Sequence, residues 1–358
     1  MSPAPELSCL EICAGAGGQS LGLEQAGFQH AAVVEIDQDA CATLALNRPG
    51  WPVIKQDVRN FSASAYLGAD LLAGGVPCPP FSIAGKQLGA DDERDLFPQA
   101  LRIAAECEPA AIMLENVRGL ASARFDGYRE QVVGRLCELG YQTDWRLLSA
   151  SDYGVPQLRP RFILVALRPA AARYFSWPQP AAAPPTVGAA LRDLMAAGGW
   201  PWADDWAERA SGIAPTLVGG SRKHGGPDLG PTRARAAWRG LHVDGLGLAD
   251  APPGPADPAS LMPRLTLPMT AVLQGFPPDW RFCGRKTAGY RQIGNAFPPP
   301  VARAVGASIR AALQAAGSPA SVAAVTRPLH PSLPGRGDDG RSTPSRQAPG
   351  NNRLERTG

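Results

Sequence analysis

Residues 7–13 form an apolar run that leads straight into Ala14-Gly15-Ala16-Gly17-Gly18, and from there into a helical pattern over about 19–26 that Gly27 stops. A strand, a glycine-rich turn and a helix in that order place backbone N–H groups at a helix N-terminus, where a ligand can come close to the main chain. The arrangement also restricts the fold, because strands alternating with helices build an α/β domain. The alternation continues. Residues 30–36 read as a second strand that carries Glu35 near its end, 38–47 as a helix, and 52–55 as a third strand followed by Asp57. Short apolar strands over 70–73 and 111–114 each run directly into unusual polar residues, and 161–167 reads as a further strand.

The polar residues gather where these strands end. Glu35, at the end of the second strand, is placed to hold ribose hydroxyls, and Asp57 is placed to accept from an adenine amino group. Ser20 stands where a dinucleotide fingerprint would have its third glycine. That shifts the expected ligand from NAD to S-adenosylmethionine, which has no pyrophosphate and needs no phosphate cradle. After 70–73 comes Gly74-Gly75-Val76-Pro77-Cys78-Pro79-Pro80-Phe81-Ser82, with a cysteine between prolines on a stiff loop. Open α/β sheets bind ligands at that carboxyl edge. Leu114-Glu115-Asn116-Val117 puts a glutamate just past a short strand, facing the same edge. In Gln157-Leu158-Arg159-Pro160-Arg161 the alternate residues of an extended chain share a face, so Gln157, Arg159 and Arg161 point together. Taken singly, each feature has an ordinary structural explanation: a tight connection, an inert thiol, a capping acid, solvated arginines.

Taken in order, they resemble the DNA (cytosine-5) methyltransferase family, especially the bacterial enzymes of restriction–modification systems. The resemblance covers about residues 8–170 and 263–312. It rests on the turn from Cys13 to Gly18, Pro77-Cys78, Glu115-Asn116-Val117 and the Gln157, Arg159, Arg161 alternation. Leu273-Gln274-Gly275-Phe276-Pro277 and Tyr290-Arg291-Gln292-Ile293-Gly294-Asn295-Ala296 complete it. It implies an α/β, Rossmann-like S-adenosylmethionine-dependent methyltransferase fold with a smaller, loop-rich target-recognition domain.

The resemblance also implies a mechanism. Cytosine C5 is a poor nucleophile until a thiolate adds at C6, the logic of covalent catalysis. Cys78 matches the family's nucleophile. Glu115 matches the residue that contacts N3 and the exocyclic amino group, Arg161 the one that binds O2, and Arg159 one that supports the pocket or a phosphate. The target base must be flipped out of the duplex. The segment 79–97 resembles the mobile loop that closes over it, with Ser82 as a phosphate contact. For the methyl donor, Gly15, Gly17 and Gly18 match the binding turn, Glu35 the ribose acid and Asp57 the adenine contact. Pro77 and Leu96 match the pocket wall, and Asn295 a contact near the methionine end. Cys13 replaces a phenylalanine, Ile36 stands where an aromatic often stacks on adenine, and Pro79 stands where glutamine is common. No catalytic position is lost.

From about residue 168 the texture changes to Pro, Gly, Ala and Trp with weak periodicity, and order returns near Leu265. The expected division is a catalytic and cofactor-binding domain over 1–170 and a target-recognition domain over 171–262. A return to the first domain spans 263–316, and a Pro-, Gly-, Ser- and Arg-rich disordered tail spans 317–358. Base edges in the major groove are read by side chains, for which Arg222, Lys223, His224, Arg233 and Arg235 are candidates by charge and loop context. The seven cysteines include no C-x-x-C pair, so no metal site is expected and a reducing cytoplasm fits. No membrane span or signal peptide is read. The formal charge of +3 neither demands nor excludes nucleic acid. The expected partners are double-stranded DNA and a cognate restriction endonuclease, with the chain a monomer. Two alternatives stay open: methylation of cytosine in RNA, and a catalytically inactive DNA-binding regulator.

Overall fold

The computed structural model describes residues 6–77, 95–180, 183–219, 226 and 228–317. The described strands are β1 (Leu7–Ile12), β2 (Phe28–Glu35), β3 (Val53–Lys55), β4 (Leu71–Gly75), β5 (Ala111–Val117), β6 (Gln142–Ser149) and β7 (Pro160–Leu167). They form a seven-stranded sheet in the order β3-β2-β1-β4-β5-β7-β6. The first five are parallel, while β7 runs antiparallel to both β5 and β6. From β1 the chain winds outward to β2 and β3, then returns to place β4 on the other side. The strand order therefore reverses between β1 and β4, where open sheets form a ligand crevice at their carboxyl ends.

Helices cover both faces, so the central strands are apolar on both sides. The first four are α1 (Gly18–Gln25), α2 (Gln38–Asn47), α3 (Phe97–Cys107) and α4 (Asp126–Glu138). Alternation along β1 sends Cys9 to one face and Leu10 and Ile12 to the other. The Leu10 face packs on Phe97 and Ile103 of α3 and on Val132 and Leu136 of α4. The Cys9 face packs on Leu23 of α1 and on Val301, Val305 and Ile309. Those last three belong to the terminal helix, so the end of the described chain folds back onto its beginning.

Residues 111–114, expected to be a short strand, extend to Val117, so Glu115 lies within β5 rather than past its end. The reason is pairing on both sides: Glu115 stands opposite Gly75 of β4 and Ile163 of β7, and Val117 opposite Arg161. With backbone partners on either hand, polar side chains do not end the strand. Strand β6 went unread in the sequence, because Gln-Thr-Asp-Trp-Arg-Leu-Leu-Ser lacks the apolar–polar alternation of a half-buried strand.

The Pro- and Gly-rich stretch is more ordered than its texture suggests. After the one-turn α5 (Pro169–Ala172) it holds α6 (Val187–Ala196), α7 (Ala203–Arg209) and α8 (Thr232–Gly240). Trp200, Trp206 and Trp238 are buried together with Leu191 and Met195. Three large aromatics supply the apolar area that short helices cannot, and the Trp206 indole N–H donates to the His242 carbonyl at 2.9 Å. The same core takes in Leu265, Met269, Leu273 and Tyr290 from the returning segment. That segment forms α9 (Leu267–Leu273), α10 (Lys286–Asn295) and α11 (Pro299–Ala316). No described helix is long and apolar enough to cross a membrane. Apart from Gly317, the tail expected to be disordered lies outside the described residues.

Candidate functional site

A cavity of about 310 Å³ opens at the carboxyl ends of the parallel strands, lined by residues that follow or end β1 through β5. The glycine turn forms its floor. Gly15 has φ +56°, and no atom lies within 4 Å of where its Cβ would be, so a ligand can meet bare backbone there. Gly18 is required for a different reason: a Cβ would lie 2.2 Å from the Phe297 carbonyl oxygen. Cys13, before the turn, is also left-handed at φ +53°. Burial, then the nearby Glu35 and Asp57 carboxylates, push its thiol far above the usual range, so it stays a neutral wall residue.

Glu35 is fixed by backbone amides. Its Oε2 accepts from Gly15 N at 2.7 Å, and Oε1 accepts from Ile36 N and Asp37 N at 2.8 Å each. The carboxylate thus couples the turn after β1 to the end of β2 and keeps lone pairs for hydroxyl donors. Asp57 is held by Arg59, whose Nε donates at 3.0 Å and whose terminal nitrogen donates at 2.7 Å. Those bonds keep the Asp57 carboxyl below its ordinary value. Ile36 lines the same cavity with 58% of its surface exposed. Pro77 and Leu96 form part of the far wall, and Leu96 N donates to the Pro77 carbonyl at 3.3 Å.

At the β4–β5 end, Glu115 Oε1 lies 2.8 Å from Arg161 Nε, with both side chains largely buried. Burial raises the Glu115 carboxyl above its ordinary value against the lowering pull of Arg161 and Arg159. Burial also lowers the Arg161 guanidinium, which Glu115 draws back up. Burial thus works against the charge on both partners, while their mutual attraction works for it. Arg159 is 1% exposed. Its terminal nitrogens donate to the Leu217 carbonyl at 2.8 Å and the Gly294 carbonyl at 2.7 Å. The expected face shared by Gln157, Arg159 and Arg161 is thus divided. Only Arg161 pairs with Glu115, while Arg159 braces two backbone segments from behind.

Gln157 has the same bracing character. Its Nε2 donates to Gln274 Oε1 at 2.8 Å and to the Leu273 carbonyl at 2.9 Å, and its Oε1 accepts from Leu217 N at 2.9 Å. The stretch ending at Gly219 is thereby held against the end of α10; a Cβ at Gly219 would lie 2.6 Å from Asn295 Oδ1. Asn295 itself lines the cavity.

Cys13, Gly15, Glu35, Ile36, Asp57, Pro77, Leu96, Glu115 and Asn295 all line this one cavity. Gly17 and Gly18 shape its floor from behind, packed against Leu44 and Phe297. Cys78, Ser82, Arg222, Lys223 and His224 lie outside the described residues, as does the loop expected over 79–97 apart from its last three positions. Of those three, Phe97 is buried and opens α3. Arg233 is exposed and Arg235 half-buried on α8. Several lining residues escaped the sequence reading, Gln19 and Arg291 among them. Gln19 follows the glycine pair directly, and Arg291 reaches toward Asp37 at 3.7 Å. Their positions beside motif residues were the only available signal.

Residues 7–226 and 229–311 match the family model for C-5 cytosine-specific DNA methylase. The chain is 58% identical over 338 residues to the type II methyltransferase M.NaeI of Lentzea aerocolonigenes, spanning 93% of this chain and 82% of that protein. It is 53% identical over 312 residues to the type II methyltransferase M.NgoMIV of Neisseria gonorrhoeae, spanning 86% and 99%. Among solved structures it resembles a prophage-encoded E. coli protein described as a DNA modification methyltransferase. That match has TM-score 0.60 and 23% identity, covering 85% of this chain and 98% of the other. It also resembles a DNMT2 mutant from Spodoptera frugiperda, with TM-score 0.58 and 17% identity over 85% of this chain and 99% of that one.

Proposed function

The chain belongs to the C-5 cytosine-specific DNA methylase family and is a DNA cytosine-5 methyltransferase of the type II, restriction–modification kind; from that premise we propose that it methylates a flipped-out cytosine through a covalent adduct of Cys78 with C6. Family and fold imply S-adenosylmethionine as the methyl donor. The cavity fits such a ligand. Bare backbone at Gly15 gives room, Glu35 suits a pair of ribose hydroxyls, and Asp57 suits a purine amino group. When bound, the donor supplies an electrophilic methyl group.

One observation carries the reading most: the buried Glu115–Arg161 pair opens onto the same cavity as the glycine turn. A neutral Glu115 carboxyl can donate to cytosine N3 while Arg161 takes O2, offsetting the negative charge that the thiolate brings into the ring. Cys78 follows Pro77, which lines that cavity. In this scheme the Cys78 thiolate bonds to C6 and C5 takes the methyl group. A base then removes the C5 proton, and elimination breaks the sulfur–C6 bond. Arg159 and Gln157 position the pocket without touching the base. Residues 171–262 are proposed as the target-recognition domain, with Arg222, Lys223, Arg233 and Arg235 facing DNA and Ser82 on a phosphate. A monomer acting in the cytoplasm beside a restriction endonuclease of the same specificity completes the proposal.

A duplex carrying 5-fluorocytosine tests it. Fluorine at C5 cannot leave as a proton does, so the protein should stall with S-adenosylmethionine as a complex stable to denaturant. A Cys78-dependent adduct supports the scheme. Its absence, with the donor shown to bind and diverse sequences offered, overturns it.

A further inference from the structure

Among the described residues of the cavity wall, Gln19 is the one with buried side-chain polar atoms that lack a hydrogen-bond partner. It is 3% exposed, and neither its Oε1 nor its Nε2 has a hydrogen-bond partner. A buried carboxamide left so is costly, and native chains rarely keep one without a use for it. Other buried polar atoms nearby are also unpartnered, on Glu11, Ser20 and the His30 Nδ1. None of those residues lines the cavity, and Gln19 does.

Its direction follows from the helix. Leu23, four residues on, shares its face of α1 and lies in one buried core with Ala73 of β4, Met113 of β5 and Phe297. Gln19 therefore faces the β4–β5 side, where Gly75, Glu115, Asn295 and Phe297 line the cavity. The opposite end, at Glu35, Ile36 and Asp57, suits ribose and adenine. What remains for the Gln19 end is the amino-acid part of the donor, with one ammonium and one carboxylate. A carboxamide matches such a zwitterion, having an oxygen that accepts and an NH2 that donates.

We propose that Gln19 binds the α-amino-acid end of S-adenosylmethionine, Oε1 accepting from its ammonium and Nε2 donating to its carboxylate. The assignment rests on the reading of the cavity as the donor site. It makes Gln19 a residue that distinguishes a complete donor from one lacking the amino acid.

Calorimetry with two ligands tests it: S-adenosylhomocysteine, which keeps the amino acid, and 5′-methylthioadenosine, which lacks it. Gln19→Leu should weaken S-adenosylhomocysteine about 10- to 100-fold, as loss of hydrogen bonds to charged groups does. It should leave 5′-methylthioadenosine within about twofold on the same scale. Gln19→Met keeps the length of the side chain without its donor and acceptor, so it should show the same selective loss and covers the case in which the leucine variant folds poorly. Equal losses for both ligands would make Gln19 a structural support of the turn and overturn the assignment, as would no loss for either. Failure of the unaltered protein to bind either ligand would instead overturn the donor-site reading beneath it.

Discussion

The Asn116 side-chain amide donates to the Val76 carbonyl at 2.9 Å, tying β5 to the end of β4 two residues ahead of Cys78. Asn116 is buried, and its Oδ1 accepts from Val117 N at 2.8 Å, so the amide is oriented at both ends. The chain thus runs toward Cys78, the proposed nucleophile, from a point fixed by the neighbour of Glu115, the proposed base-binding acid. Asn116→Leu leaves the Val76 carbonyl without this partner, at a cost of about 1–3 kcal/mol. Single-turnover methylation should slow more than tenfold while S-adenosylhomocysteine affinity holds. Unchanged turnover in a folded variant would show that the tether does not position Cys78.

Cys78→Ala should abolish methylation and adduct formation while leaving binding of the donor product largely intact. The cavity proposed to hold the donor is lined by other residues, among them Gly15, Glu35 and Asp57. Methyl transfer measured with labelled donor, next to calorimetry on the same preparation, separates the two. Turnover at the unaltered rate would remove Cys78 from the chemistry.

The Glu115–Arg161 pair gives a pH dependence with a definite sign. Burial raises the Glu115 carboxyl, so its proton is present at low pH and is lost as pH rises through the raised value. If the neutral acid assists thiolate addition, the single-turnover rate at saturating DNA and donor should fall on that alkaline side. Glu115→Gln should remove this limb and lower the rate about 10²- to 10⁴-fold, the usual worth of a positioned acid. Loss of DNA affinity by the same factor would count against the role. Arg161→Met should destabilise the fold by about 3–5 kcal/mol, because it strands a buried carboxyl, and adding Glu115→Gln should recover much of that.

Much of this site was legible because strand ends and motif residues coincide. Leu7 to Ile12, the glycines, Glu35 and Asp57 mark a crevice in the sequence itself, since apolar runs and turn glycines are local signals. Gln19 and Arg291 were not legible. Whether a polar residue faces a cavity depends on how α1 and α10 pack, and no local pattern records that. The division of labour between Arg159 and Arg161 was hidden for the same reason: Arg159 meets carbonyls of Leu217 and Gly294, distant in sequence. The three-tryptophan core among α6, α7 and α8 was missed because short helices separated by Pro and Gly give little periodicity.

A last prediction concerns Glu11, in the middle of β1 and fully buried. His30 Nε2 lies 2.9 Å from the Ser20 carbonyl oxygen, so that nitrogen carries the proton, and burial lowers the His30 pKa and keeps the ring neutral. Its Nδ1 then faces Glu11 Oε2 as an acceptor at 3.7 Å. Among the described residues no cation balances a Glu11 carboxylate there, and burial pushes its pKa up to about 8. An unfolded glutamate loses its proton near ~4.3. Between those values the folded chain holds a proton that the unfolded chain has released, so the stability from neutral Glu11 is present at low pH and is lost as pH rises through about 8. His30 slopes the other way, but only below its ordinary value of ~6.5; the buried thiols of Cys9, Cys13, Cys41 and Cys107 slope with Glu11 near pH ~9 but do so alike in Glu11→Gln, so the difference between the two proteins from pH ~7 to ~9 reports Glu11. Across it the unaltered protein should lose about 1 kcal/mol relative to Glu11→Gln, or about 2 °C in Tm for a chain of this size. The amide keeps the shape of the acid and has no proton to release. Parallel Tm curves for the two proteins over that window would show that Glu11 is already ionised in the fold, and that a cation or water compensates it.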